Sequence, residues 1–256
     1  METLNDKILS LYPKHIKESY NVEFDRAYRQ KITEGLSGKH FNAWVRNWKK
    51  ENGVKHQLIQ LNVPPMFYPA FTGQSVLTIG LNPSLTVDFF KDLPLKTNDL
   101  AYQKNQIEEL VGFQRKLKYG AEQIPYFKQQ EVFFKKIDLD FAKEVFHYDF
   151  IQIRHTDASD MERHLNENHS LKNQAFEHLN FVLNSLRPKA IFVFNAAVSR
   201  FIKKEMVPHQ SLHPEMGCYL LNEVPLIFAN QLSGPATSEP FRELLVWNSK
   251  RILSFT

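Results

Sequence analysis

Cysteine is nearly absent from this chain, whose 256 residues include a single one, Cys218. An internal disulfide, a four-cysteine zinc site and a protein-held iron–sulfur cluster each need more than one thiol, so the composition excludes all three. We expect no cofactor, and we expect Cys218 to be a packing residue.

Long apolar runs are also missing. None approaches the roughly 20 residues that a helix needs to cross a bilayer, and the first residues lack the basic start and apolar stretch of a signal peptide. The sequence has no glycine-rich phosphate loop and no His-Glu-x-x-His zinc motif. It therefore predicts a soluble, cytoplasmic protein without a membrane partner.

The positive charge is unevenly distributed. The formal net charge is +4, and residues 1–60 alone hold 11 lysines and arginines against 7 acidic residues. A positive segment ahead of a neutral remainder is typical of a surface that binds a polyanion. A solvated surface with a few extra lysines explains the same distribution, so both interpretations stay open.

We expect two parts along the chain: a helical, basic extension over residues 1–72, packed on a main domain over residues 73–256. In the extension, Ser37 is placed to cap a helix that runs towards Glu51 and stops at Gly53. Aromatic residues at helical spacing share one face of it, namely Phe41, Trp44 and Trp48. This stripe either packs on the main domain or stacks on bases.

The most informative segment lies at residues 76–84. It is an apolar, β-branched run that stops at Gly80 and at the pair formed by Asn82 and Pro83. Such a run predicts a strand buried on both faces, and the stop predicts a sharp outward turn at its carboxyl end. Asn82 is therefore expected at the mouth of the cleft where open α/β sheets bind ligands.

Three further apolar runs, at residues 145–149, 190–194 and 225–228, alternate with helical patterns. Strands separated by helices predict a mainly parallel sheet covered on both faces. The expected fold is a three-layer α/β/α domain with a central four-stranded sheet, and its four strand ends converge on one cleft.

These strand ends resemble those of the uracil-DNA glycosylase superfamily over about residues 73–250. Gly80-Leu81-Asn82-Pro83-Ser84 matches the first motif of its mismatch-specific and single-strand-selective branches, and Ile124-Pro125-Tyr126-Phe127 resembles the helix start that often follows. Residues 230–237 stand where the family places its second motif, a loop that presses on the DNA minor groove. Alternatively, the chain is another doubly wound domain in which Asn82 and Pro83 only make a turn.

The resemblance implies hydrolysis of the bond between a base and deoxyribose in DNA. This bond breaks with oxocarbenium character on the sugar, so the protein flips the nucleotide out and places a water. The resemblance assigns that water to the side-chain carbonyl of Asn82, and stacking on the base to Phe89 or Phe90, although either ring could belong to the core. Substrate contacts are also expected from the rest of the motif, Gly80, Leu81, Pro83 and Ser84. The chain is expected to act as a monomer without a metal.

The second strand departs from the family's pattern. Where relatives carry an asparagine that pairs with uracil, this chain has Asp149. A carboxylate cannot donate a hydrogen bond to the O4 of uracil unless it is protonated. Asp149 therefore favours a base edge rich in donors, or it serves as a catalytic carboxylate; otherwise it is a buried acid paired with Arg154 or His147.

The second motif departs as well, because residues 230–237 contain no histidine to help the leaving group. Asn230 or Ser233 could bind the base or a phosphate, and Leu232 could fill the vacated stack. Alternatively, this loop is a polar connection between the last strand and the last helix and has no role in binding.

Two weaker groups complete the candidates. His155, Asp157 and Asp160 are close enough in sequence to hold a metal, although hydrogen-bonded loop residues of these types are commoner than ligands. The second group consists of Arg200, Lys203 and Lys204. It follows the third strand and either meets phosphates or forms an exposed charged helix face.

The leading hypothesis is a DNA base glycosylase that acts on an unusual or deaminated base. The alternative is a module of the same fold that has lost catalysis and binds nucleic acid or a nucleotide. A hydrolase of a small nucleoside-like ligand is the third hypothesis.

Overall fold

The computed structural model describes residues 2–10, 20–36, 38–54, 59, 65–81, 104–120, 123–153, 158–207, 218–229 and 238–255. The chain divides into two compact units. The first comprises Met1–Phe67, Asn82–Leu110 and Ile151–His178, and the second comprises Tyr68–Leu81, Val111–Phe150 and Leu179–Thr256. Each unit is therefore assembled from segments that are distant in the sequence.

In its described residues, the second unit holds a mostly parallel sheet of five strands. They are β1 (Val76–Gly80), β2 (Val145–Asp149), β3 (Ala190–Val193), β4 (Tyr219–Leu221) and β5 (Val224–Phe228), in the order β2-β1-β3-β5-β4. β1 pairs in parallel with β2 and β3, and β3 pairs in parallel with β5. The first three strands are buried along their whole length, as their apolar runs predict. The α/β class and the mainly parallel sheet are confirmed.

The expected count of four strands is corrected to five by the edge strand β4, which runs antiparallel to β5. This strand has only three residues, and Asn222 and Glu223 join it to β5 with positive φ angles of 50° and 67°. Positive φ at both central positions matches a type I′ hairpin turn, which usually carries asparagine followed by glycine. Glutamate at the second position hides that signal in the sequence.

Helices lie before, between and after the strands. They are α1 (Val22–Thr33), α2 (Gly38–Glu51), α3 (Lys104–Tyr119), α4 (Pro125–Lys136), α5 (Phe141–Glu144), α6 (Ala158–Glu167), α7 (His169–Leu186), α8 (Ala196–Glu205) and α9 (Glu239–Leu253), and residues 4–10 are also helical. Among the residues that the structure describes, none of these helices combines the length and the apolar character that crossing a bilayer requires.

Helix α4 packs against one face of the sheet in the second unit. Pro125 occupies its first turn, where the missing N–H costs nothing. The Phe134 ring lies 5.4 Å from Phe192 and 6.1 Å from Phe194, close to perpendicular in both cases. This aromatic core fixes the start of α4, and with it Tyr126, relative to the strand ends.

In the first unit, the aromatic stripe of α2 packs on α1. The Phe24 ring lies 4.9 Å from Trp48, and the Tyr28 ring lies 4.5 Å from Phe41. The stripe is therefore a packing surface rather than a base-stacking surface, and the partner in these contacts is α1 instead of the expected main domain. Helix α2 ends at Glu51 before Gly53, as predicted, and the predicted cap Ser37 lies outside the described residues.

A buried ion pair joins α2 to α6 in the first unit. Lys49 Nζ lies 2.5 Å from a carboxylate oxygen of Asp160, and both side chains are largely buried. The carboxylate that was a candidate metal ligand is thus held by a lysine. The other two members of that candidate group, His155 and Asp157, lie outside the described residues, as does Arg154.

Candidate functional site

The strand ends of the second unit bring Gly80 and Asp149 together. β1 and β2 pair with Gly80 opposite Asp149 and with Thr78 opposite His147. Residues two apart in a strand point to the same face, so these four residues lie on one face at the carboxyl edge of the sheet. Together with Tyr126, near the start of α4, they form what we call the strand-end cluster.

Gly80 makes room for the other members of this cluster. A Cβ atom at this position would lie 2.9 Å from Asp149 Oδ1, 3.2 Å from Tyr126 Oη and 3.3 Å from His147 Cε1. The first distance is shorter than real Cβ contacts allow, so any other residue would push these groups apart. The sequence predicts a substrate contact at Gly80, and the structure adds a second reason for a glycine there.

His147 stands between Thr78 and Asp149, with one ring nitrogen towards each. Its Nδ1 lies 2.7 Å from Thr78 Oγ1, and its Nε2 lies 3.4 Å from Asp149 Oδ1. Burial lowers the pKa of His147 below its ordinary value of 6.5; the Asp149 carboxylate opposes this shift, and the Lys118 ammonium adds to it. The imidazole is therefore neutral at pH 7. We assign the tautomer in which the Thr78 hydroxyl donates to Nδ1 and the Nε2–H points towards the carboxylate.

Thr78, His147 and Asp149 stand in the order hydroxyl, imidazole, carboxylate that nucleophilic triads use. Thr78 has none of its surface exposed, so its hydroxyl cannot reach a substrate. The Asp149 side chain keeps 6% of its surface exposed. The contacts therefore hold the carboxylate in position and do not build a nucleophile. The sequence predicts that Asp149, if it is a buried acid, pairs with Arg154 or His147, and the structure places His147 beside it.

Tyr126 supplies a hydroxyl beside the carboxylate. Burial raises the pKa of the Tyr126 phenol strongly and the negative charge of Asp149 raises it further, while the Gln130 amide acts in the opposite sense. Tyr126 therefore keeps its proton at physiological pH and can donate a hydrogen bond. A donor and an acceptor thus stand side by side at the carboxyl edge of β1 and β2.

Side chains of the same unit cover the outer edge of β2. The hydrogen bonds run from Tyr119 Oη to the Val145 carbonyl (3.4 Å), from Lys118 Nζ to the His147 carbonyl (3.4 Å) and from the Asp149 N–H to Tyr68 Oη (3.0 Å). The Lys118 ammonium also lies 5.3 Å from the centroid of the Tyr68 ring, a cation–π contact that offsets part of the cost of burying it. The backbone that carries the carboxylate is therefore fixed from outside the sheet.

The structure describes three of the site residues predicted from the sequence. Gly80 and Asp149 belong to the strand-end cluster, and Leu81 is buried with 4% of its surface exposed. The others lie outside the described residues and are Asn82, Pro83, Ser84, Phe89, Phe90, Asn230, Leu232 and Ser233. Among the residues with described positions, no three His, Cys, Asp or Glu side chains come close enough together to hold a metal ion.

Two members of the cluster received no role from the sequence. Thr78 is read only as part of an apolar run, and Tyr126 only as part of a helix-start motif. The Thr78 hydroxyl lies two residues before Gly80, in a strand that the sequence predicts to be fully buried. Because buried polar groups need hydrogen-bond partners, this hydroxyl indicates a polar neighbour inside the core. No comparable signal in the sequence places Tyr126 next to Asp149, since only the packing of α4 brings them together.

The buried imidazole predicts a pH dependence of stability. In the unfolded chain His147 binds a proton near its ordinary pKa of 6.5, whereas in the fold its pKa is lower, so the unfolded state binds more protons below pH 6.5. The free energy of unfolding should therefore fall as the pH decreases below 6.5. His178, whose pKa burial lowers to about 4, contributes in the same sense.

Urea unfolding at a series of pH values measures this dependence. His147→Gln should flatten it in part, because the contribution of His178 remains. His40→Gln is the matched control, since His40 is exposed and its replacement should leave the dependence as in the wild type. An unchanged slope in His147→Gln would contradict the expectation.

The strand-end cluster carries part of the motif resemblance, because Gly80 opens the first motif and Tyr126 belongs to the helix start that follows. No protein-family model matches the sequence, and no curated protein is significantly similar to it. The resemblance to the uracil-DNA glycosylase superfamily therefore stays a prediction from motifs.

Proposed function

We propose that the chain is a DNA base glycosylase that releases a deaminated base by hydrolysis. The observation that supports the proposal is the pairing of a donor with an acceptor at one sheet edge. Tyr126 Oη and Asp149 Oδ1 lie within 3.2 Å and 2.9 Å of the point where a Cβ of residue 80 would stand. These two groups can read one edge of a base.

Deaminated bases present a carbonyl next to a ring N–H. The Tyr126 hydroxyl would donate to the carbonyl, and the Asp149 carboxylate would accept from the N–H. In the same orientation, cytosine and adenine would turn an amino group towards the Tyr126 hydroxyl and an unprotonated ring nitrogen towards the Asp149 carboxylate, so donor would face donor and acceptor would face acceptor. Tyr126 also answers the objection that a carboxylate alone lacks a donor for the O4 of uracil.

The proposed reaction breaks the bond between C1′ of deoxyribose and the base nitrogen. The bonding electrons leave with the base, and the hydrogen bond from Tyr126 to its carbonyl stabilises the negative charge that develops there. Water adds to C1′, its proton passes to the departing base or to solvent, and an abasic sugar remains. The placement of that water by Asn82 stays a prediction, as does stacking by Phe89 or Phe90.

The proposal carries further expectations with it. The partner is DNA, the chain acts as a cytoplasmic monomer without a cofactor, and the sheet belongs to a three-layer α/β/α domain. The excess of basic residues in the first 60 positions is consistent with a polyanionic partner.

A panel of duplex and single-stranded oligonucleotides tests the proposal. Each carries uracil, hypoxanthine, xanthine or an alkylated base, and hot alkali cleaves the strand wherever a base has been released. We expect cleavage at deaminated bases and none at cytosine or adenine. Tyr126→Phe should slow release about tenfold, because it removes one hydrogen bond that strengthens as charge develops.

Tyr119→Phe is the matched control for Tyr126→Phe. The Tyr119 hydroxyl contacts the Val145 carbonyl of the same core but is outside the strand-end cluster, so its removal should not change the rate. Absence of cleavage at every base in the panel would remove the proposal. Equal losses in the two tyrosine variants would remove the role of Tyr126.

A binding module is the second candidate, and the crowding above Gly80 favours it. Three groups from different residues converge on that position, and a base could contact only their outer side. Binding of DNA that weakens as salt rises, without base release, would favour this candidate. Turnover of free nucleosides with weak DNA affinity would instead favour the nucleoside hydrolase.

A further inference from the structure

A groove lies beside the edge hairpin of β4 and β5, within the second unit. Its volume is about 260 Å³, and the residues that line it include Lys203, Tyr219, Phe228, Phe241, Leu244 and Asn248. We call it the edge groove. Its volume is below the roughly 300–1,000 Å³ of pockets for drug-sized ligands, which limits a ligand to a single ring system with short substituents.

Three half-buried aromatic rings face this groove, those of Tyr219, Phe228 and Phe241. The first two have their centroids 5.4 Å apart at an interplanar angle of 73°, and Leu244 beside them is 60% exposed. Ligand pockets are lined mainly by apolar and aromatic side chains with a few polar groups, and this groove has such a lining. Flat aromatic walls favour a flat, ring-shaped ligand.

The groove also carries a positive charge. Lys203 Nζ lies 4.5 Å from the centroid of Phe228 and 5.4 Å from that of Tyr219, so cation–π contacts hold the ammonium at the groove. Of the groove-lining residues that the structure describes, Lys203 is the only charged one. A ligand that joins a ring to an anionic group matches both features, and a nucleotide is such a ligand.

The groove and the strand-end cluster lie at the same edge of the sheet. Phe228 is the last residue of β5, and Asp149 is the last residue of β2. In the order β2-β1-β3-β5 these strands are three spacings apart, which is about 14 Å at roughly 4.8 Å per spacing. In the register of the sheet Phe228 aligns with Ile79 and Tyr148 rather than with Gly80 and Asp149, so its side chain points to the opposite face of the sheet.

We infer that the edge groove binds one unpaired nucleotide of a DNA strand, with the base against the aromatic rings and a phosphate at Lys203. The Asn248 amide both donates and accepts hydrogen bonds, so it can meet any base edge, and binding should tolerate different sequences. The inference rests on the proposed function only for the choice of DNA as ligand, because it concerns binding and not base release.

Binding of labelled, single-stranded oligothymidylate to the full chain, followed by fluorescence anisotropy, tests this inference. Lys203→Gln and Phe241→Leu should each weaken binding about tenfold, the effect of losing one stacking or phosphate contact. Lys203→Gln should also reduce the slope of log affinity against log salt by about one. Lys204→Gln is the charge-matched control, because this exposed neighbour is not among the groove residues, and it should keep most of the affinity.

Several outcomes would overturn the inference. Equal losses of affinity in Lys203→Gln and Lys204→Gln would show that the effect comes from overall positive charge and not from the groove. Unchanged binding in both Lys203→Gln and Phe241→Leu, with thermal melts showing that they fold, would exclude the groove as the binding site. Thymidine monophosphate binding as tightly as the oligonucleotide would exclude a strand as the ligand. Groove-dependent binding without release of any base would leave this inference standing while the glycosylase proposal fails.

Discussion

Replacing Asp149 with alanine is expected to slow base release about a hundredfold, whereas Asp149→Asn should retain most of the rate. In the proposed site the carboxylate accepts the hydrogen bond of the base N–H, and its removal leaves a desolvated donor unpaired at a cost of roughly 1–3 kcal/mol. Asparagine keeps an acceptor oxygen in the same place. Single-turnover release from the preferred deaminated substrate would give both rates.

This pair of variants separates recognition of the base from proton transfer. If Asp149 acted as a general base, Asp149→Asn and Asp149→Ala would lower the rate of base release equally, since an amide does not take up a proton. Asp138→Asn is the matched control, because Asp138 is exposed and pairs with Lys250 away from the cluster. Equal loss in both Asp149 variants would contradict recognition, and an undiminished rate in Asp149→Ala would contradict the site.

Gly80→Ala is expected to lower the free energy of unfolding by roughly 1–3 kcal/mol and to remove most base release. The added methyl group would stand 2.9 Å from Asp149 Oδ1 and 3.2 Å from Tyr126 Oη. Both groups are held by packed neighbours, so they can yield only by leaving the positions that the proposed reaction needs. Urea unfolding and the alkali cleavage assay would measure the two effects.

Gly112→Ala is the control for this substitution. Gly112 lies within helix α3, and a Cβ there would meet nothing within 4 Å. Alanine should stabilise that helix by about 0.5–1 kcal/mol and leave base release unchanged. A Gly80→Ala chain as stable and as active as the wild type would contradict the close convergence at residue 80.

The parallel strands are predictable because a strand buried on both faces appears in the sequence as a continuous apolar run. Val76–Gly80 and Val145–Asp149 have the bounds that their apolar runs indicate, and Ala190–Val193 differs from its prediction by one residue. β4 cannot be recognised in this way, because its three residues are too few to form such a run or a periodic pattern. Helix α6 is also absent from the prediction, since Asp160 in its first turn is expected from the sequence to lie in a polar loop.

The candidate site is predictable only in part. Parallel strands end at a common edge, so the proximity of Gly80 and Asp149 follows from the topology. Their direct opposition follows from the register, which the sequence does not specify beyond the alternation of faces. Tyr126 and Thr78 reach the cluster through helix packing and a buried hydrogen bond, and both depend on tertiary contacts.

The covered outer edge of β2 has a consequence for association between chains. Among the described strands, β2 is the last one on its side of the sheet, and an uncovered last strand can recruit a strand from another molecule. Two of its carbonyls and the amide of Asp149 are already engaged by side chains of the same unit. A foreign strand would have to displace a lysine and two tyrosines to extend the sheet there, so the end that carries the carboxylate is protected against intermolecular β-pairing.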